Sequence, residues 1–187
     1  MLLVVVETCT LAFRRDHLTK ANIVATALFG DGAAACLLRA EGSAAVEVES
    51  TAQHTWPDTL DIMGWSVDGE GLGVIFDRSI PPFAETHFGP AVHAMLAQAG
   101  LSLAEIDRFV SHPGGAKVVT ALERALSLPQ GVLADERAVL SEFGNMSAPT
   151  VFFVLERALR TGLPARTLLT ALGPGFSTSI ATLRAAA

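Results

Sequence analysis

Apolar and polar positions alternate along the chain in blocks of two kinds, and the order of the blocks predicts the architecture. Residues 2–13, LLVVVETCTLAF, form an almost unbroken apolar run rich in β-branched side chains, the pattern of a strand covered on both faces. Residues 22–29 then predict a short helix, Gly-Asp-Gly at 30–32 a turn, and residues 33–39 a second strand. Residues 44–51 alternate like a half-exposed strand and 71–78 form another candidate; together they predict a hairpin region over 44–78. Pro81 and Pro82 lead into a long helix over 83–99, closed by Gly100. A short buried strand over 106–112 follows, then helices at 116–126, 135–143 and 148–160. Two last strands, 166–175 and 176–185, meet at a Gly-Pro-Gly turn. Strands that alternate with helices imply a layered α/β fold with a mixed sheet, here of five strands. Because a central-type strand opens the chain with no lead-in, the expectation is a fragment, or a strand completed by something upstream.

Composition narrows the function classes. Half of the 187 residues are apolar and only 17% are charged, enough for a sizeable core and for a surface that belongs against another domain or subunit. The net charge of -6, with no block of Lys or Arg, leaves nothing to hold a nucleic-acid backbone or an anionic membrane. The apolar run at residues 1–6 is too short to span a bilayer and lacks the flanks of a signal peptide, so a cytoplasmic protein is expected. Cys9 and Cys36 show no metal-ligand spacing, and reduced, buried thiols are the simplest expectation.

Two stretches carry candidate chemistry: SHPGG at 111–115 and EFGNMSAP at 142–149. Pro113, with no N–H and a fixed φ, stops the strand just after His112, which sets the imidazole at the C-terminal edge of the sheet, where ligands of α/β folds bind. Gly114 and Gly115 let backbone approach a ligand. Asn145 stands before an apolar helix, between Gly144 and Ser147. Both residues also have plain readings: a structural histidine at a strand end, and an ordinary helix N-cap.

ALFGDGAAA, SHPGG, FGNMSAP and LGPGFS, in this order and at these separations, resemble the C-terminal half of the chalcone synthase-like family, the type III polyketide synthases of the thiolase superfamily. The likeness runs from VVVETCTLAF to TLRA. Ketoacyl-acyl carrier protein synthase III enzymes are a related alternative, but their histidine sits in a His-Gln-Ala-Asn run, whereas Pro113 and Gly114 follow His112 here. WPDTLDIMGW and GLGVIFDRSIP are similar to bacterial members that make alkylpyrones and alkylresorcinols from long fatty acyl-CoA starters.

The resemblance implies one half of a thiolase-like condensing-enzyme fold over residues 1–187. It implies that His112 and Asn145 donate hydrogen bonds to the thioester carbonyl of malonyl-CoA and stabilise the enolate left by decarboxylation. It further implies that Cys9, Ala12, Phe29, Trp65, Val74 and Ser147 face the substrate, with Phe29 and Val74 as gate positions and Trp65 filling chamber volume. Gly114 and Lys117 would meet CoA, and the turn at 173–175 would shape the chamber floor. Plain alternatives stay open: a core Phe29, a sheet Trp65, a solvent Lys117 and a first-turn Ser147. The family's nucleophilic cysteine lies upstream of the matched region, and Cys9, in an apolar strand, has nothing to favour a thiolate. The isolated chain is therefore expected to be inactive without an N-terminal half. Acyl-CoA and malonyl-CoA as substrates, a homodimer, and no metal or redox cofactor complete the expectation. The alternative from another class is a non-catalytic partner subunit or pseudoenzyme fragment.

Overall fold

The computed structural model describes residues 1–41, 44–69 and 71–185. In chain order its elements are β1 (Leu2–Glu7), α1 (Lys20–Leu28), β2 (Gly32–Leu37), β3 (Val46–Thr55), β4 (Met63–Asp68), β5 (Gly71–Phe76), α2 (Ile80–Gln98), β6 (Arg108–Ser111), α3 (Ala116–Ala125), α4 (Ala134–Phe143), α5 (Ala148–Arg160), β7 (Arg166–Gly173) and β8 (Ser177–Ala185). A four-stranded mixed sheet runs β3-β8-β7-β6, with only the β6–β7 pair parallel. Antiparallel ribbons β1–β2 and β4–β5 stand apart from it.

Helices cover both faces of the sheet. On one face, α2 and α3 pack Phe88, Val92, Leu96, Val119 and Leu122 against Leu168 and Ile180 of the central strands. On the other, α4 and α5 pack Val139, Val151 and Val154 against Val110, with Leu169 alongside. Strand β7 thus sends successive leucines to opposite faces, as the two-residue period of a strand requires, and both faces are buried.

Helices α2 and α3 come close enough that a Cβ on Gly89 would collide with the Ala125 carbonyl. Gly89→Ala should therefore lower stability by about 2 to 3 kcal/mol, the usual cost of overpacking a rigid contact. An unchanged urea midpoint would show that the helices can separate freely.

Three sequence expectations need correction. The mixed sheet has four described strands, because β1 and β2 pair with each other. Residues 46–55 belong to that sheet as its edge, paired with β8 in register from Val46↔Ala185 to Thr55↔Ser177, so only β4 and β5 form the hairpin expected over 44–78; residue 70 within it lies outside the described residues. The opening run stops being a strand at Glu7 and turns into a 3-10 segment, Cys9–Ala12. Its strand is not covered on both faces either: Leu2, Val4 and Val6 are exposed. Residues 186 and 187 of the expected domain also lie outside the described residues.

Candidate active site

Three chain segments meet beyond the C-terminal end of β6. The first carries His112, whose N–H continues the ladder to the Thr170 carbonyl at 2.8 Å, while Gly114 N–H returns to the His112 carbonyl at 3.0 Å. The ladder ends there because Pro113 has no N–H to offer. His112 Nδ1 is buried with no hydrogen-bond partner among the described residues, and the rest of the ring faces a cavity. Burial pushes its pKa down to about 4, so the imidazole is neutral at pH 7.

The second segment carries Asn145. Its backbone N–H donates to the Leu28 carbonyl at 2.8 Å and its carbonyl accepts Gly30 N–H at 3.0 Å, which makes an isolated parallel bridge between Phe29 and Asn145. Gly144, at φ 72°, permits this approach; a Cβ there would sit 2.7 Å from the Leu28 carbonyl oxygen. The Asn145 side chain is 5% exposed. Its Oδ1 accepts Ser147 N–H at 2.9 Å and its Nδ2 donates to the Gly114 carbonyl at 3.2 Å. Accepting on one side and donating on the other fixes which way the amide faces, and the NH₂ keeps a second hydrogen to offer.

Asn145 is therefore not the N-cap of α5. Ser147 holds that position at φ 58°, and the Thr150 hydroxyl closes the first turn by accepting Met146 N–H and donating to the Ser147 carbonyl, both at 2.8 Å. With the turn closed from within the helix, the carboxamide is left for the cavity wall.

The third segment is the β4–β5 hairpin. Trp65 and Val74 lie directly opposite one another on it, a spacing at which their side chains share one face. Arg14 ties the hairpin to the end of the 3-10 segment, with two bonds to the Asp68 carboxylate at 2.8 and 2.9 Å and others to the Gly71 and Leu72 carbonyls.

His112, Gly114, Asn145 and Ser147 line one cavity of about 320 Å³, walled across from them by Phe29, Trp65 and Val74 and floored by Gly173 and Pro174 of the β7–β8 turn. A second cavity of about 220 Å³ holds Cys9 and Ala12, and Phe29 and Val74 belong to the walls of both. Cys9 and Ala12 thus reach the smaller chamber and not the larger, because the 3-10 turn carries them away from the line of β1. Thr10 pins that turn, its N–H and hydroxyl donating to the two Asp31 carboxylate oxygens at 2.8 and 2.7 Å. Cys9 Sγ lies 3.4 Å from Ser147 Oγ, and burial pushes its thiol pKa up. Cys36 is a half-buried residue of β2. Lys117 lines neither cavity; it borders a shallow groove with Thr120, Arg124 and Arg137.

Several lining residues, Met63, Phe76, Ser177 and Glu7 among them, are not singled out by the sequence pattern. For Glu7 a signal is present, since it is the one acidic side chain in the apolar run that opens the chain. Among the described residues no group of three His, Cys, Asp or Glu side chains is placed to hold a metal ion.

Layered helices on a mixed sheet, with a histidine and a pinned carboxamide on one cavity wall, define half of a thiolase-like condensing-enzyme fold. The chain belongs to the chalcone and stilbene synthase family, the type III polyketide synthases: residues 47–185 match the C-terminal domain of chalcone and stilbene synthases. It is 38% identical over 187 residues to 1,3,6,8-tetrahydroxynaphthalene synthase of Streptomyces peucetius subsp. caesius, covering 96% of this chain and 49% of the relative. Similarity to the alpha-pyrone synthesis polyketide synthase-like Pks18 of Mycobacterium tuberculosis is 30% identity, over 94% of this chain and 47% of that protein. The crystal structure of 1,3,6,8-tetrahydroxynaphthalene synthase from Streptomyces coelicolor A3(2) superposes with a TM-score of 0.92 at 26% identity, covering 100% of this chain and 54% of that one. The chain spans about half the length of the curated relatives it matches.

Proposed function

We propose that this chain supplies the oxyanion-hole half of a type III polyketide synthase, which decarboxylates malonyl-CoA and condenses the resulting carbanion with an acyl-CoA starter, a long-chain one giving alkylpyrone or alkylresorcinol products. The observation that carries the reading is the Asn145 carboxamide, held by Ser147 N–H and the Gly114 carbonyl in the wall that also presents His112. Loss of CO₂ moves charge onto the thioester oxygen as an enolate. Donors fixed beforehand stabilise that charge without reorganising. An amide donates without titrating, and a neutral imidazole donates from one ring nitrogen.

Cys9 lacks the surroundings of a nucleophile: it has a raised pKa and a hydroxyl neighbour, with no cation or Gly-rich helix start beside it among the described residues, and Cys36 lies within strand β2, lining neither cavity. The acyl-accepting cysteine then comes from outside these 187 residues, and this chain alone turns nothing over. The exposed apolar side chains of β1 support a docking surface for the cysteine-bearing half. Homodimers of the whole enzyme, in the cytoplasm and without a metal or redox cofactor, complete the proposal. In it Gly114 and Lys117 meet CoA, Lys117 from the neighbouring groove at a phosphate, and Ser147 faces the growing chain. Cys9 and Ala12 line the smaller chamber, where the starter's alkyl end lodges past Phe29 and Val74. The test is to combine the chain with its cysteine-bearing half, malonyl-CoA and a fatty acyl-CoA: mass spectrometry should find a pyrone or resorcinol with both halves and none with either alone. Turnover by this chain alone would overturn the division of labour.

Trp65 sets the chamber's shape in this reading. Trp65→Gly opens volume beside Val74 in the active enzyme, so the intermediate folds differently and the product ratio changes. An identical product profile would remove Trp65 from the chamber.

A further inference from the structure

We propose that Glu136 is a positioning residue for His112, holding the end of β6 through the Ser111 amide. The proposal rests on the reading of His112 as an oxyanion donor. Strand β6 is an edge of the sheet, so alternate N–H groups along it face away from β7. His112 N–H points to β7 and meets the Thr170 carbonyl. Ser111 N–H points the other way, in a residue that is fully buried, where a donor left unpaired would be destabilising.

Helix α4 covers that edge and brings Glu136 to it from the helix's first turn. Glu136 is 2% exposed, and its Oε1 accepts Ser111 N–H at 2.8 Å. The other ties at this strand end include Thr170 Oγ1 to Ser111 Oγ at 2.9 Å, His112 N–H to the Thr170 carbonyl, Gly114 N–H to the His112 carbonyl and Asn145 Nδ2 to the Gly114 carbonyl. All of those groups are neutral at every pH, so Glu136 is the titratable tie among the described residues. A carboxylate accepts the amide strongly and a carboxylic acid weakly.

The surroundings set where the change falls. Burial pushes the Glu136 pKa up to about 7, against the pull of the Ser111 amide and its own N–H. Asp135, next to it on α4, raises it further, and Arg108 on β6 lowers it. Arg108 and, from α5, Arg157 both pair with Asp135, at 2.7 and 3.6 Å. On the α3 side, Glu123 is paired with Arg137 at 2.6 Å. His112, at the end of the same strand, stays neutral throughout the window. Protonation of Glu136 near neutrality therefore loosens the Ser111 amide and turns the imidazole one residue on.

The experiment is a nuclear magnetic resonance titration of this chain across about pH 5 to 9, following the Ser111 amide and the His112 ring in the parent, Glu136→Gln and Glu136→Ala. In the parent, both signals should move together with a midpoint near 7. The step should vanish in Glu136→Gln, whose amide oxygen accepts Ser111 N–H without titrating. In Glu136→Ala the His112 signals should be displaced at every pH. A Ser111 step with a motionless His112 ring would overturn the assignment, as would an equal step in Glu136→Gln. Should either variant fail to fold, the parent titration alone decides. Malonyl-CoA decarboxylation, measured in the active enzyme, is the separate readout: its absence beside an intact coupled step would sink the proposed function and leave Glu136 as the group that orients His112.

Discussion

Asn145→Ala is expected to slow malonyl-CoA decarboxylation by about a hundred- to a thousandfold in the active enzyme, the usual cost of deleting one oxyanion donor. The loss should fall on kcat with little change in KM, because in the proposed reaction the enolate charge is absent from the bound ground state. The fold should survive. Asn145 N–H and C=O are held by Leu28 and Gly30 whatever the side chain, and the first turn of α5 is closed by Thr150. Two side-chain bonds to backbone are lost, worth about 1 kcal/mol each, so the thermal midpoint should drop modestly. Rate and stability separate the two uses of this side chain: a variant that unfolds as it loses activity would return Asn145 to a structural part, and one that decarboxylates at the parent rate would remove it from the chemistry.

The second large effect is in the pH dependence of stability, where two buried groups pull in opposite directions. His112 has an ordinary value of 6.5 and about 4 in the fold. The unfolded chain takes up a proton there before the native one does, so this contribution is complete above 6.5 and is lost as pH falls toward 4. Glu136 rises from 4.5 to about 7. The native state keeps that proton longer, so its contribution is complete below 4.5 and is lost as pH rises through 7. Between about 4.5 and 6.5 the two slopes cancel, and urea midpoints should be nearly flat. The paired carboxylates with lowered values, Glu49 and Glu105 among them, act only below that window. Glu136→Gln removes one arm. Relative to the parent, its stability should change by about 3 kcal/mol between pH 4.5 and 7, the variant being relatively better at the higher pH. Parallel curves for parent and variant would mean that Glu136 titrates normally.

What could be read in advance followed how local each feature is. The long helices α2 and α5, the His112 strand end and the Asn145 turn are written in neighbouring residues: Pro81 and Pro82, the His-Pro-Gly-Gly run, Gly144. Strand β3 alternates visibly, but its partner β8 lies some 130 positions further on, and nothing near it names that partner, so its local pattern fits a hairpin equally well. The break in the first apolar run was hidden for a different reason. Thr8 to Ala12 are as apolar and compact as a strand, and what bends them is Asp31 from beyond the next helix. Glu136 was still less legible. An acid in the first turn of a helix ordinarily complements the helix dipole, and only the packing of α4 on the open edge of β6 gives it Ser111 to hold.

The bridge between Phe29 and Asn145 has a consequence for how such a protein diversifies. Any exchange at 28–30 that shifts the main chain drags the carboxamide with it, so that stretch is a poor place to explore new substrates. The ribbon bearing Trp65 and Val74 is tied at its tip by the Arg14 guanidinium and meets the bridge through an edge-on ring contact of Phe76 with Phe29, so side-chain exchanges near its tip disturb the bridge less. Selection, or a mutant library, has most room on the ribbon and least on the bridge.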